Sequence, residues 1–195
     1  MIDLLDKIFF RTQNLNYINI AFKNIKKKTQ INKILRLKNK ELVKLTSQIG
    51  SDVILGVKPT NSILSSNGKI KRFNKNINLY TLVVKPNFGC STKAIYSKVK
   101  LFSKSKFSYP KKTMFNKEYL KNLDNGLENI VFKKYPMLKK IKSYLLTVRN
   151  NIFVRMTGSG SSIVAYFNSK RACDKAYKKY KMKFNSHWCI KSKTI

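Results

Sequence analysis

Acids are scarce in this chain: 8 Asp and Glu stand against 42 Lys and Arg, for a formal net charge of +34 over 195 residues. Histidine is scarcer still, and the lone His187 excludes a metal centre built on histidines. Three cysteines, Cys90, Cys173 and Cys189, are odd in number and widely spaced, which argues against a disulfide framework or a zinc site and for free thiols in a reducing cytosol. No apolar run approaches the roughly 18 residues that cross a bilayer. Asp3 and Asp6 stand where an export signal carries base, so no signal peptide is read. The expectation is a cytoplasmic protein with no membrane attachment. Glycine is also sparse: of 7 in the chain the first is Gly50, so no glycine-rich loop exists before that point.

What is present is apolar enough to fold. The hydrophobic fraction is 43%, spread along the chain, and describes a globular protein with a real core. The positive charge has two readings. One is nucleic-acid binding through phosphate neutralisation. The other is a coding bias toward Lys, Asn and Ile, which all use A/T-rich codons. Arg, the better residue for bidentate phosphate or guanine contacts, is scarce beside Lys. The Lys are dispersed rather than gathered in one stripe, so the second reading is preferred, with non-specific attraction to polyanions expected either way. A basic RNA-binding module is kept as the alternative function.

The periodicity predicts a helix over 35–49 stopped by Gly50, an extended run over 53–57, and a hairpin of two short strands over 62–64 and 70–73 about a turn at Asn67-Gly68. A β-rich run over 79–84 ends at Pro86 and Gly89, and 92–99 suits a short helix. The Ser-, Lys- and Pro-containing stretch 102–112 reads as a loop. Helical patterning spans 117–148, with Pro136 a break or a start. Strands are predicted over 152–156 and 163–167, a helix capped by Ser169 runs to about 181, and a strand follows over 188–193. From residue 79 the order is β, α, α, α, β, β, α, β, an α+β layer fold with helices on one face of a sheet.

Four segments carry chemical signals. In Ile49-Gly50-Ser51-Asp52-Val53 an acid flanked by apolar residues at a turn is a candidate catalytic base, although taken alone the preferred reading is a cap or turn aspartate. Lys85 to Thr92, followed by Ala94-Ile95-Tyr96, is a strand breaking into a turn that enters a helix, able to offer hydroxyls and N–H groups to an anion. Asn125-Gly126-Leu127-Glu128 says only turn followed by helix. Thr157-Gly158-Ser159-Gly160-Ser161-Ser162 is a strand-to-strand turn rich in small residues, and such turns pack against phosphates; without a Lys and a following helix it is not a P-loop.

The order and spacing of these segments resemble the 4-diphosphocytidyl-2-C-methyl-D-erythritol kinases of the GHMP superfamily. The likeness lies in Gly-Ser-Asp-Val, then Pro-x-x-x-x-Ser-Thr with an aromatic residue four positions on, then Asn-x-Leu-Glu, then Met-Thr-Gly-Ser-Gly-Ser, and it runs from about residue 35 onward. The resemblance implies a GHMP kinase fold. Residues 1–78 would be an incomplete N-terminal domain of ribosomal-S5 type, with 1–33 unassigned, and 79–195 a ferredoxin-like C-terminal domain. It implies transfer of the ATP γ-phosphate, with Mg2+, to the 2-hydroxyl of the cytidyl substrate. Asp52 matches the family's catalytic aspartate, Thr92 a substrate-contacting hydroxyl and Tyr96 an aromatic against the cytosine; Gly158, Ser159 and Gly160 match the phosphate-supporting third motif. The departures are the family's glycine-rich ATP loop and first motif, which have no counterpart before Asp52, and Gly126, where the family has an acid. The expectation is a truncated or frame-shifted chain, or a degenerate paralogue, without kinase turnover of its own.

Overall fold

The computed structural model describes residues 60–64, 70–74, 77–100 and 111–194. The helix expected over 35–49, the run 53–57, Asp52 and the 67–68 turn lie outside these residues. Six strands and five helices are described: β1 (Asn61–Leu64), β2 (Ile70–Phe73), β3 (Tyr80–Lys85), α1 (Thr92–Tyr96), α2 (Lys117–Lys121), α3 (Glu128–Lys134), α4 (Pro136–Thr147), β4 (Asn151–Met156), β5 (Ile163–Phe167), α5 (Lys170–Lys183) and β6 (Trp188–Lys193). A 3-10 turn, Lys112–Met114, precedes α2. The 117–148 helical stretch is therefore three helices, and four helices rather than three separate β3 from β4.

Strands β3 to β6 form one antiparallel sheet in the order β4-β5-β3-β6, while among the described residues β1 and β2 pair with each other alone. Two central strands flanked by the second and last of the unit, with helices crossing between, is the ferredoxin-like arrangement. The central strand, Tyr-Thr-Leu-Val-Val-Lys, is β-branched and apolar because it is covered on both faces. Its register sets Val84 opposite Ile163 of β5 on one side and Cys189 of β6 on the other.

Leu82 and Val84 of β3, Val154 and Met156 of β4 and Ile163, Ala165 and Phe167 of β5 face the helical layer. That layer supplies Leu138, Ile141 and Leu145 from α4 and Ala172, Cys173, Ala176 and Tyr180 from α5, spacings that draw one stripe along each helix. Pro136 starts α4 where no N–H is needed, and Ser169 caps α5 by accepting from the Ala172 N–H at 3.2 Å. Asn151 closes the far end of α4, its amide donating to the carbonyl of Val148 at 2.6 Å and of Leu146 at 3.1 Å.

The opposite face is not bare, which corrects the expectation of helices on one side only. Val83, Phe153, Val164 and Tyr166 pack there under Ile63 of the β1–β2 hairpin, Ile77, Leu79 and Phe115, with Leu120 of α2 at the margin. Arg155 alternates onto this face and is buried, yet its guanidinium donates to the carbonyls of Leu120 and Leu123, which close α2. It also lies over the Phe153 ring at 5.0 Å.

Candidate functional site

The site forms where the end of β3 and the β4–β5 turn meet. Ser91 turns the chain into α1, its hydroxyl accepting from the Ala94 N–H at 3.3 Å, and buried Ile95 anchors that short helix to the core. Thr92 and Tyr96 are left on the surface, Tyr96 with 53% of its area exposed. An exposed phenol ring is the form a stacking platform takes, and nothing covers it among the described residues.

The β4–β5 turn is held tightly. The Thr157 N–H donates to Ser162 O at 3.0 Å and the Gly160 N–H to Thr157 O at 2.9 Å. Gly158 and Gly160 have φ of 44° and 85°, a left-handed backbone that L side chains rarely adopt. Thr157, Ser159, Ser161 and Ser162 are all buried, so their hydroxyls need partners inside the protein. Ser161 donates to Phe88 O at 2.7 Å, and the Ser159 and Thr92 hydroxyls pair at 3.0 Å. These two bonds join the turn to the β3–α1 connection, so Thr92 and Ser159, 67 residues apart, share one site. Whether Asp52 joins them lies outside the described residues.

The Asn125–Glu128 segment is a third component; by itself its sequence reads only as a turn and helix start, and it is one of the motifs in the resemblance. The Asn125 amide donates to Met156 O at 3.0 Å and Gly158 O at 2.8 Å, while its oxygen accepts from the Leu127 N–H at 2.9 Å. Glu128 accepts from the Met156 N–H at 2.8 Å through one oxygen and from Lys142 at 2.5 Å through the other. Gly126 lies between them, exposed, and a Cβ there would meet nothing within 4 Å. The acid the family carries at this position would therefore fit without strain.

Cys90 lines the underside of the turn: a Cβ placed on Gly160 would lie 3.1 Å from its Sγ. Burial pushes the Cys90 thiol up to about 11, against the opposing charges of Lys134 and Lys85, so the thiol stays neutral near pH 7. The motif segments contain Cys90 and Ser161, but no local pattern gives either a role, since their partners lie far along the chain. Among the described residues no group of three or more His, Cys, Asp or Glu is placed to hold a metal, and no helix is long and apolar enough to cross a membrane.

Comparison with known proteins agrees with this architecture. Residues 112–185 match the family model described as GHMP kinases C terminal. The chain is 60% identical over 163 residues to 4-diphosphocytidyl-2-C-methyl-D-erythritol kinase of Pelagibacter ubique, a match covering 84% of this chain and 58% of that protein. The namesake kinase of Clostridium tetani is 33% identical over 166 residues, covering 82% of this chain and 58% of its own length. The chain is thus a homologue of the 4-diphosphocytidyl-2-C-methyl-D-erythritol kinases, and it spans 58% of the length of each of these two relatives. A crystal structure of 4-(cytidine 5'-diphospho)-2C-methyl-D-erythritol kinase superimposes with a TM-score of 0.65 at 16% identity, over 83% of this chain and 60% of that one. Homoserine kinase from Cytophaga hutchinsonii superimposes with a TM-score of 0.56 at 16% identity, over 73% of this chain and 50% of the other. At that identity these two carry the fold alone.

Proposed function

We propose that this chain supplies the substrate-binding and phosphate-supporting part of a small-molecule kinase that phosphorylates the 2-hydroxyl of 4-diphosphocytidyl-2-C-methyl-D-erythritol with ATP, in non-mevalonate isoprenoid biosynthesis in the cytoplasm. The observation that carries the reading is the meeting of Thr92 with Ser159 inside a chain 60% identical to a kinase of that name.

In this reading Tyr96 stacks on the cytosine, a contact worth about 1–3 kcal/mol per base. Thr92 turns a hydroxyl toward the substrate, its orientation set by Ser159. The Gly158–Gly160 turn brings backbone close to phosphate oxygens without side chains in the way. Phosphoryl transfer has a loose transition state, so positioning and charge stabilisation carry most of the catalysis. Asp52 orients the substrate alcohol and accepts its proton late. Mg2+ would arrive with the nucleotide; the described residues offer no carboxylate cluster for it, so no step is assigned to a resident metal.

The donor half of the reaction does not fit these residues. A triphosphate is held in this superfamily by a side-chain-free loop, and the chain has no glycine before Gly50. Lys side chains attract ATP but do not align its γ-phosphate with the alcohol. The 195-residue chain is accordingly expected to bind the cytidyl substrate without turning it over. The test joins the N-terminal part of the Pelagibacter relative to residue 35 of this chain. The chimera should phosphorylate the substrate, and Asp52→Asn within it should remove most of that rate. Robust phosphorylation by the chain alone would refute the loop argument. A folded but inactive chimera would place the loss within residues 35–195.

A further inference from the structure

We propose that Asn125 is a positioning residue for this site: its amide sets the height of the Gly158–Gly160 turn and so places the Ser159 hydroxyl on Thr92. The inference rests on the functional reading above and adds to it a residue with no role assigned there.

The geometry leaves Asn125 a single task. Both amide hydrogens are spent on carbonyls that bracket the entry to the turn, Met156 O at 3.0 Å and Gly158 O at 2.8 Å. Its oxygen is held by the Leu127 N–H at 2.9 Å, so the amide cannot swing away from the turn. Glu128, one helical step on, takes the Met156 N–H at 2.8 Å, and the peptide groups at the end of β4 are thereby gripped from both sides. Two residues beyond Gly158 O, the side chains of Cys90, Met156 and Val131 form a wedge beneath Gly160, so close that a Cβ there would lie 3.1, 3.3 and 3.4 Å from them. With Asn125 above and that wedge below, Ser159 has one place to be, and its hydroxyl meets Thr92 at 3.0 Å. Among the described residues no hydrogen bond joins the Asn125 or Ser159 side chain to that of the exposed Tyr96, so a loss of Asn125 should spare cytosine stacking and weaken the grip on phosphate.

The discriminating variant is Asn125→Asp. It keeps the oxygen that accepts from Leu127 and the size of the side chain, but it loses both donors and sets a carboxylate against two carbonyls. Asn125→Ala removes the donors without adding the charge and serves if the aspartate variant does not fold. Titration calorimetry of the full chain uses two probes, cytidine and cytidine 5′-diphosphate, and amide NMR of the unliganded chain gives a readout that needs no ligand. Asn125→Asp should lower affinity for the diphosphate about tenfold and leave cytidine affinity unchanged. It should also shift the amide signals of Gly158, Ser159, Gly160 and Thr92 while those of α5 stay in place. The proposal is overturned if the turn's signals do not move in the Asn125 variants, or if both affinities fall together. A parent chain that binds neither probe sinks the functional reading, and the NMR comparison still decides whether Asn125 places the turn.

Discussion

Replacing Gly160 by alanine tests the packing beneath the β4–β5 turn. Two costs are separable. The first is conformational: at φ of 85° an L residue pays about 1–2 kcal/mol relative to glycine. The second is steric. The new Cβ would sit 3.1 Å from Cys90 Sγ, 3.3 Å from Met156 Sδ and 3.4 Å from Val131 Cγ1. The two sulfurs end flexible side chains and give by a few tenths of an ångström, so overpacking adds about 1–2 kcal/mol, at the low end of its range. Urea unfolding of Gly160→Ala should therefore show a loss of about 2–4 kcal/mol. Cys90→Ala in the same chain removes the nearest obstacle but not the backbone strain, and a double-mutant cycle should return a favourable coupling of about 1 kcal/mol. A Gly160→Ala chain within about 0.5 kcal/mol of the parent would refute the argument, since ordinary surface changes fall in that range. Purely additive costs in the cycle would show that Cys90 is not the obstacle.

Thr81 is 1% exposed in the central strand and its hydroxyl has no hydrogen-bond partner among the described residues, so the near-isosteric Thr81→Val should raise stability by about 1 kcal/mol in urea unfolding. His187 is bonded to the Tyr180 hydroxyl at 2.8 Å and stacked on Phe184, and burial, followed by the charge of Lys181, lowers its pKa from 6.5. The fold thus favours the neutral ring: its contribution is complete above the unfolded value of 6.5 and is lost as pH falls through the lower folded value. Unfolding measured from pH 7.5 down to 5 should show that decline, and His187→Asn should flatten it. Binding to a mixed-sequence nucleic acid should be weak, indifferent to sequence and steeply weakened by salt; tight binding to one RNA at physiological salt would favour the RNA-binding alternative.

The sheet was legible because its strands are short β-branched runs bounded by breakers. The expected strands over 163–167 and 188–193 coincide with Ile163–Phe167 and Trp188–Lys193, and Ser169 caps α5 through a local signal that needs no tertiary context. The covering of the second face was not legible, since it depends on which way a distant hairpin folds back. Arg155 shows why: alternation along β4 marks it as a residue for water, whereas the closing carbonyls of α2 and the Phe153 ring draw it inside. At the site, the motifs named Thr92 and Ser159 separately, and only their 3.0 Å contact makes them partners. Asn125 was legible as part of the Asn-x-Leu-Glu motif, but its task was not, because its bonds reach 31 and 33 residues along the chain, beyond any local pattern.

The order of strands across the sheet also sets a timetable for synthesis. β3 emerges first, yet both of its neighbours are made much later: Ile163 must appear before Val84 has a partner on one side, and Trp188 before Lys85 has one on the other. A ribosome adding roughly 5–20 residues per second leaves this largely apolar strand with two open hydrogen-bonding edges for several seconds. In that interval α3 and α4 are available to shelter its Leu82–Val84 side, but not its edges. The strand that finally closes the second edge carries Lys191 and Lys193, charges that discourage a neighbouring nascent chain from adding itself to the finished sheet.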